Sequence, residues 1–343
     1  MMDSKLKHGG SVNTALLALK PGERASGRLG MGTMASGQTI DLPYLVMRGM
    51  QDGPCLWLNG AVHGDEINGV LAALDFYRAL DPSQMRGRVV VTPVSNPLGF
   101  DARRKRVPQD ELDLDQSFPG RADGLATERL AWTLFSEIRD VADVLVNFHT
   151  MNPYFDSKPY VVYKIGSAQV TDEKTLLAAA ATFDPFVVCR MPVDGGSELP
   201  GNVAGALDYQ GLKAGLLAFM VELGGGSRQE PTYIAQGVRG LFRLAQHIGL
   251  LEADGWEPGS VQRVTRRRHV MCSHGGLFRQ QAVAGSIVPA GQPIGIVESV
   301  WGEELEKIVF DAPVALIGLR TDPVVHSGDR VAFVGTEWSL LHA

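Results

Sequence analysis

Cys55-Leu56-Trp57-Leu58 is four apolar residues in a row, bounded by Gly53-Pro54 before and Asn59-Gly60 after, the pattern of a short buried strand. His63-Gly64-Asp65-Glu66 follows, and then Ile67, Val70, Leu71, Leu74 and Tyr77 recur at three- and four-residue spacing, one apolar face of a helix. Strand, polar turn, helix is the unit of an α/β sheet, and it repeats outward from here. Arg88–Val94 reads as a β-branched strand and Val141–Phe148 as another, with the helical face of Leu130, Leu134 and Ile138 between them. Tyr160–Ile165, Phe186–Met191 and Leu216–Leu223 are further strand patterns. Helical segments are expected near Thr171–Phe183 and Gln229–Gly249. The predicted class is α/β, a mixed sheet flanked by helices, over residues 42–257. After Trp256-Glu257-Pro258-Gly259 helical periodicity stops, and short apolar runs alternate with turn pairs such as Ala284-Gly285 and Ser327-Gly328. Residues 258–343 are therefore expected to form a small C-terminal all-β domain. Residues 1–41 read as an N-terminal extension, with a β-hairpin leading into the sheet, and Thr39–Met47 is expected to pair with Cys55–Leu58 across the Gly49–Pro54 turn.

Composition narrows the function classes. Of 343 residues, 45% are hydrophobic and 20% charged, a globular balance. A formal net charge of −6 gives no electrostatic reason to expect nucleic acid or an anionic membrane as partner. No apolar stretch approaches the roughly 18 residues of a membrane helix, and Ala15–Leu19 is too short for the core of a signal peptide. Cys55, Cys189 and Cys272 lie far apart in apolar runs, as reduced structural thiols do, so a cytoplasmic protein is expected.

The chemistry-bearing residues stand at strand ends, where open α/β sheets bind ligands. His63 and Glu66 are three apart, so one turn can aim both side chains at a single point. Val146-Asn147-Phe148-His149 ends a second apolar strand on a histidine. One strand-end histidine is more often structural than a ligand. Two such ends, one carrying His-x-x-Glu, favour a metal, and two imidazoles with a carboxylate suit one zinc ion per chain with an open position. A hydrolytic zinc also needs a base, and Glu222, closing the apolar Phe219-Met220-Val221 run, is the candidate. A strand-end glutamate turned to solvent by Gly224-Gly225-Gly226 is the bland alternative. Those glycines do not make a phosphate loop, because no Lys-Ser/Thr follows them.

The ordered set His63-Gly64-Asp65-Glu66, Asn96-Pro97 with Gly99-Phe100, Asp113 through Gly120, Phe148-His149 and Val221-Glu222 resembles the succinylglutamate desuccinylase/aspartoacylase family, of zinc carboxypeptidase-like fold. The resemblance covers most of the chain. It implies zinc-dependent hydrolysis of the amide bond of a small N-acyl amino acid or amine, with His63, Glu66 and His149 as metal ligands and Glu222 as the catalytic carboxylate. A small-molecule substrate is the expected partner, and the sequence leaves a homo-oligomer open. Two departures bear on specificity. The family's Asp-Leu-Asn-Arg is here Asp113-Leu114-Asp115-Gln116, so an arginine that would hold a substrate carboxylate is replaced by an uncharged amide, and an asparagine by an acid. Asp115 and Gln116 are accordingly expected at the substrate, which either lacks the usual α-carboxylate or carries a cationic or amide group facing Asp115. The family's carbonyl-polarising arginine falls in Arg103-Arg104-Lys105-Arg106, where Arg104, Lys105 and Arg106 are all candidates. The alternatives are a peptidase that trims a terminal residue with the same metal site, and a non-catalytic metal- or ligand-binding relative.

Overall fold

The computed structural model describes residues 7–8, 10–168, 171–194 and 201–342. Among these residues a sheet of fourteen strands runs through the molecule, and a separate four-stranded sheet lies in its C-terminal part. At the centre, strand Gln51–Asn59 is flanked on both sides by parallel partners, Arg86–Thr92 and Val144–Met151. Leu217–Gly225 continues parallel to Val144–Met151, and Tyr160–Ile165 then pairs antiparallel to it, so the sheet is mixed. Fully buried Trp57, Phe148 and Phe219 belong to the central strands, and fully buried Phe76 and Tyr77 to the helix that follows the first of them. A side chain of this size gains about 1.5–3 kcal/mol by leaving water.

Helices cover both faces, and the strand register assigns them. Successive side chains of a strand point to opposite faces. A Cβ on Gly69, in helix Asn68–Ala79, would strike Phe148, whereas one on Gly211, in helix Leu207–Lys213, would press on Leu145 and Ala218. Phe148 and Leu145 have opposite parity, so the two helices lie on opposite sides of the sheet. Helix Pro231–His247 packs beside Asn68–Ala79. His149 and Asn147 share the parity of Leu145, so they point to the Leu207–Lys213 side.

The α/β class and the C-terminal all-β region stand as expected, and strand Tyr160–Ile165 has the predicted bounds. Thr39–Arg48 differs. It forms a hairpin with Arg24–Thr33 and pairs on its other edge with Arg86–Thr92, not with Cys55–Leu58. Both edges of Gln51–Asn59 are already filled by parallel partners that return through helices, leaving no free edge for its sequence neighbour. The Gly49-Met50 link steps over the intervening strand, bonded to the carbonyls of Gly87 and Met85. From the C-terminal region, Ser260–Met271 pairs with Val188–Pro192, so four of its strands prolong the large sheet. Among the described residues, no helix is long and apolar enough to cross a membrane.

Candidate active site

Strand Gln51–Asn59 ends in a tight loop, with Ala61 in the left-handed region (φ 46°), before helix Asn68–Ala79 begins. Gly64 is pressed against the backbone of Gly99 and Phe100, where any Cβ would sit 2.1 Å from a carbonyl carbon. That contact explains why His63-Gly64 and Gly99-Phe100 occur together: only glycine lets the loop seat on helix Pro97–Ala102. The helix is itself capped by Asn96, whose side chain accepts from the Gly99 N–H.

The loop turns His63 and Glu66 inward against His149, on the strand Val144–Met151. Glu66 bridges the two rings: Oε1 lies 2.8 Å from His63 Nδ1 and Oε2 lies 2.9 Å from His149 Nδ1. The Thr150 N–H donates to the same Oε2 at 3.1 Å. The ring centroids are 4.9 Å apart, and all three residues are buried. Asp113, N-cap of a short 3₁₀ turn at Leu114–Gln116, places Oδ1 2.9 Å from His63 Nε2. Burial alone would lower the pKa of His63, but Glu66 and Asp113 hold it up at about 10. Asp115 and Glu66 likewise outweigh burial to raise His149. Burial would raise the carboxyl of Glu66, yet the two histidines beside it hold it well below the usual range. Two imidazoles and a carboxylate, buried and packed around one point, are a donor set that fits a divalent cation.

Glu222 stands directly across from His149 in the parallel register, and across from Tyr160 on its other side. Its Oε2 is closed to solvent with no hydrogen-bond partner among the described residues. Burial first, and then the nearby charge of Glu66, raise its pKa against the opposing pull of His149, Lys105 and the Tyr160 phenol. The solvent-facing alternative for this residue is thereby set aside.

The basic run separates. Arg103 ends the short helix in the left-handed region (φ 52°), and the chain turns there so that its neighbours diverge. Arg104 reaches out to Glu111 at 3.0 Å, and Arg106 donates to the Glu111 carbonyl at 3.2 Å. Lys105 alone of the three lines the cavity, with its ammonium 3.7 Å from Asp113. Burial would lower its pKa, but Glu66, Asp113, Glu222 and Asp115 together raise it. Gln116 has both ends of its amide engaged within the chain, Nε2 on Asp113 and Oε1 on the Asn202 N–H. Asp115 is buried at the cavity wall, its Oδ1 accepting from Asn147 Nδ2 at 2.9 Å and from the Leu207 N–H at 3.3 Å.

The cavity encloses about 340 Å³, the lower end of the range for small-molecule sites. The C-terminal region closes it with Arg267, His269, Arg330 and Phe333. The run Arg266-Arg267-Arg268-His269 reads in sequence as a solvated face, and this is corrected: Arg267 is buried, its guanidinium 5.6 Å from the Phe333 ring centroid. Irregularities between Val264 and Arg267 break the two-residue alternation and turn that side chain inward. His269, beside it, is half-buried. Burial, then Arg330 and Arg267, depress its pKa to about 4, so it is neutral. Lys164 is a further residue missed in sequence. It is buried in the strand Tyr160–Ile165 and holds both oxygens of Asp208 at 2.7 and 2.8 Å. The signal was there: a lone cation inside an apolar strand needs a buried partner.

The succinylglutamate desuccinylase/aspartoacylase catalytic domain matches residues 52–248. The chain belongs to that family. A curated relative from Halomonas elongata, an N-alpha-acetyl-L-2,4-diaminobutyric acid deacetylase, is 26% identical over 296 residues, 84% of each chain. A succinylglutamate desuccinylase/aspartoacylase from Rhodobacter sphaeroides is 26% identical with a TM-score of 0.77, covering 94% of this chain and 96% of its own. An ectoine utilization protein from Ruegeria pomeroyi, solved with product bound, is 25% identical with a TM-score of 0.77, covering 90% and 94%. Asp115 and Gln116 both line the cavity and both hold hydrogen bonds within the chain.

Proposed function

We propose that the protein is a zinc-dependent deacylase that hydrolyses the amide bond of a small N-acyl amino acid carrying a second amine, of the N-acetyl-diaminobutyrate type. The observation that supports this most is the convergence of His63, Glu66 and His149 beside Glu222, one of whose carboxylate oxygens is buried with no partner among the described residues, on the lining of one small cavity. His63, Glu66 and His149 would hold one zinc ion. When bound, such an ion supplies Lewis acidity, polarising the amide carbonyl and acidifying a water. Glu222, in register with His149, takes the proton from the attacking water and returns it to the departing nitrogen. The raised pKa of its carboxyl suits a group that must both accept and give a proton. Lys105, held protonated by the carboxylates around it, faces the negative charge that develops on the carbonyl oxygen. The relatives' substrates and the cavity volume agree on size. The C-terminal wall of Arg267, His269 and Phe333 leaves little room for a peptide, which argues against the peptidase alternative.

Lys105→Met is expected to lower kcat/KM by about a hundredfold, the scale of one lost donor to a developing oxyanion. Arg104→Met, whose side chain points to Glu111, should change it less than about twofold. Steady-state kinetics on the two variants, side by side, decides which residue of the run serves. The function itself is tested by incubating zinc-loaded and chelator-stripped protein with a panel of N-acyl amines that includes N-acetyl-2,4-diaminobutyrate, and reading products by mass spectrometry. Zinc-dependent release of free amine supports the proposal. Tightly bound zinc with no turnover across the panel would establish the non-catalytic binding role instead.

A further inference from the structure

Asp113 and Asp115 stand on one short turn, and each reaches a different histidine of the site. Asp113 Oδ1 is 2.9 Å from His63 Nε2, and Asp115 Oδ2 is 3.6 Å from His149 Nε2. We propose that Asp115 is the positioning carboxylate of His149, accepting its Nε2–H when Nδ1 is given to the metal, and is not a substrate contact. This rests on the zinc-site reading above and goes beyond it.

The argument is a proton count. A neutral imidazole that gives Nδ1 to a cation keeps one proton, on Nε2, and on a ring as buried as that of His149 this proton needs an acceptor. Among the described residues, two groups are near His149 Nε2: Asn147 Nδ2 at 2.9 Å and Asp115 Oδ2 at 3.6 Å. Asn147 cannot accept there. Its Nδ2 donates to Asp115 Oδ1, and its Oδ1 accepts from Asn59 Nδ2 at 2.9 Å, so a flip of the amide would break both bonds. Asn59 is in turn locked by Thr92 Oγ1 and Ser95 Oγ. Asp115 is left as the acceptor, and a ring shift of roughly half an ångström brings Oδ2 into hydrogen-bond range. Before the metal enters, Nδ1–H serves Glu66, and Nε2 can take the Asn147 N–H instead. Asn147 and Asp115 thus serve the two tautomers in turn.

The charge at position 115 gains a reason on this reading. An acid there strengthens His149 as a donor and offsets charge brought by the ion. Asp115 is held for the purpose: Asn147 Nδ2 and the Leu207 N–H fix Oδ1, and the buried pair Lys164–Asp208 lies beside it.

Asp115→Asn isolates the role, because the two donors that hold Oδ1 would claim the amide oxygen and turn the new NH2 toward His149. Zinc affinity of the stripped protein, measured by competition with a chromophoric chelator, is expected to fall about 10- to 100-fold. At saturating zinc, any loss of turnover should fall on kcat, with KM for N-acetyl-2,4-diaminobutyrate within about twofold. Unchanged zinc affinity with a raised KM would overturn the inference and make Asp115 a substrate contact. Nitrogen-15 NMR of zinc-loaded wild-type protein gives an answer even if the variant does not fold: Nε2 of His149 should carry a proton, and a bare Nε2 overturns the inference. Wild-type protein that takes up no zinc would sink the zinc-site reading and this inference together, whereas equal affinity in wild type and variant sinks this inference alone.

Discussion

Glu222→Gln is expected to bind zinc as tightly as the wild type and to lose about three orders of magnitude in kcat. Two parts of the geometry separate these outcomes. The proposed metal donors are His63, Glu66 and His149, whose hydrogen bonds among the described residues do not include Glu222. A glutamine fills the same space across from His149 and Tyr160, so the strand register should hold. What it cannot do is take a proton from water and hand it to the amine. General acid–base catalysis is worth about 10²–10⁴-fold, and a single group that serves both steps should fall in the upper part of that range. His149→Ala makes the contrast, since it should lose zinc and turnover together. Metal content by elemental analysis and turnover by amine release are the two readouts. A Glu222→Gln protein with full activity would remove Glu222 from the chemistry and leave the proton to another group.

The residues that carry the proposed chemistry were legible because each sits where local sequence changes character. His149 and Glu222 each close an apolar run and His63 lies in the turn that follows one, and a polar residue at that point of an α/β sheet has few positions to occupy other than the ligand-binding edge. The strand pattern of Tyr160–Ile165 could be read for the same reason. What could not be read depends on partners distant in the chain. Thr39–Arg48 pairs with Arg86–Thr92 because two crossover strands had already filled the edges of Gln51–Asn59, and no local pattern encodes that. Arg267 turns inward through irregular pairing with Arg330–His342, so a run of basic residues resembles a solvated face while one of them lines the cavity. Lys105 could not be separated from Arg104 and Arg106 because a single left-handed residue, Arg103, redirects the chain. The departure Asp115-Gln116 was visible, but its meaning was not. Seen in isolation, an acid in place of asparagine suggests a substrate cation; placed beside His149 and Asn147, it suggests a proton acceptor.

Lys164 and Asp208 set the second large effect, one of stability. The ammonium is closed off from water, with both carboxylate oxygens within 2.8 Å, and the two residues come from different elements, strand Tyr160–Ile165 and helix Leu207–Lys213. Asp208→Ala would leave a buried ammonium without its partner, and breaking such a pair from one side costs about 3–5 kcal/mol. Urea denaturation of the stripped protein should show that loss as a lower midpoint with an unchanged slope. Removing both charges should cost far less, because a buried pair traded for apolar side chains of similar size is often close to neutral. The double variant Lys164→Met with Asp208→Leu should therefore regain most of the lost stability. Lys164 also lines the cavity, and its charge acts on Asp115. The double variant is thus expected to fold well, and because Lys164 favours an ionised Asp115 while Asp208 opposes it, its zinc affinity is expected to stay close to that of the wild type. Recovery of stability with no change in zinc affinity would show that the pair only ties strand to helix, and recovery of neither would mean that the ammonium is held by more than Asp208.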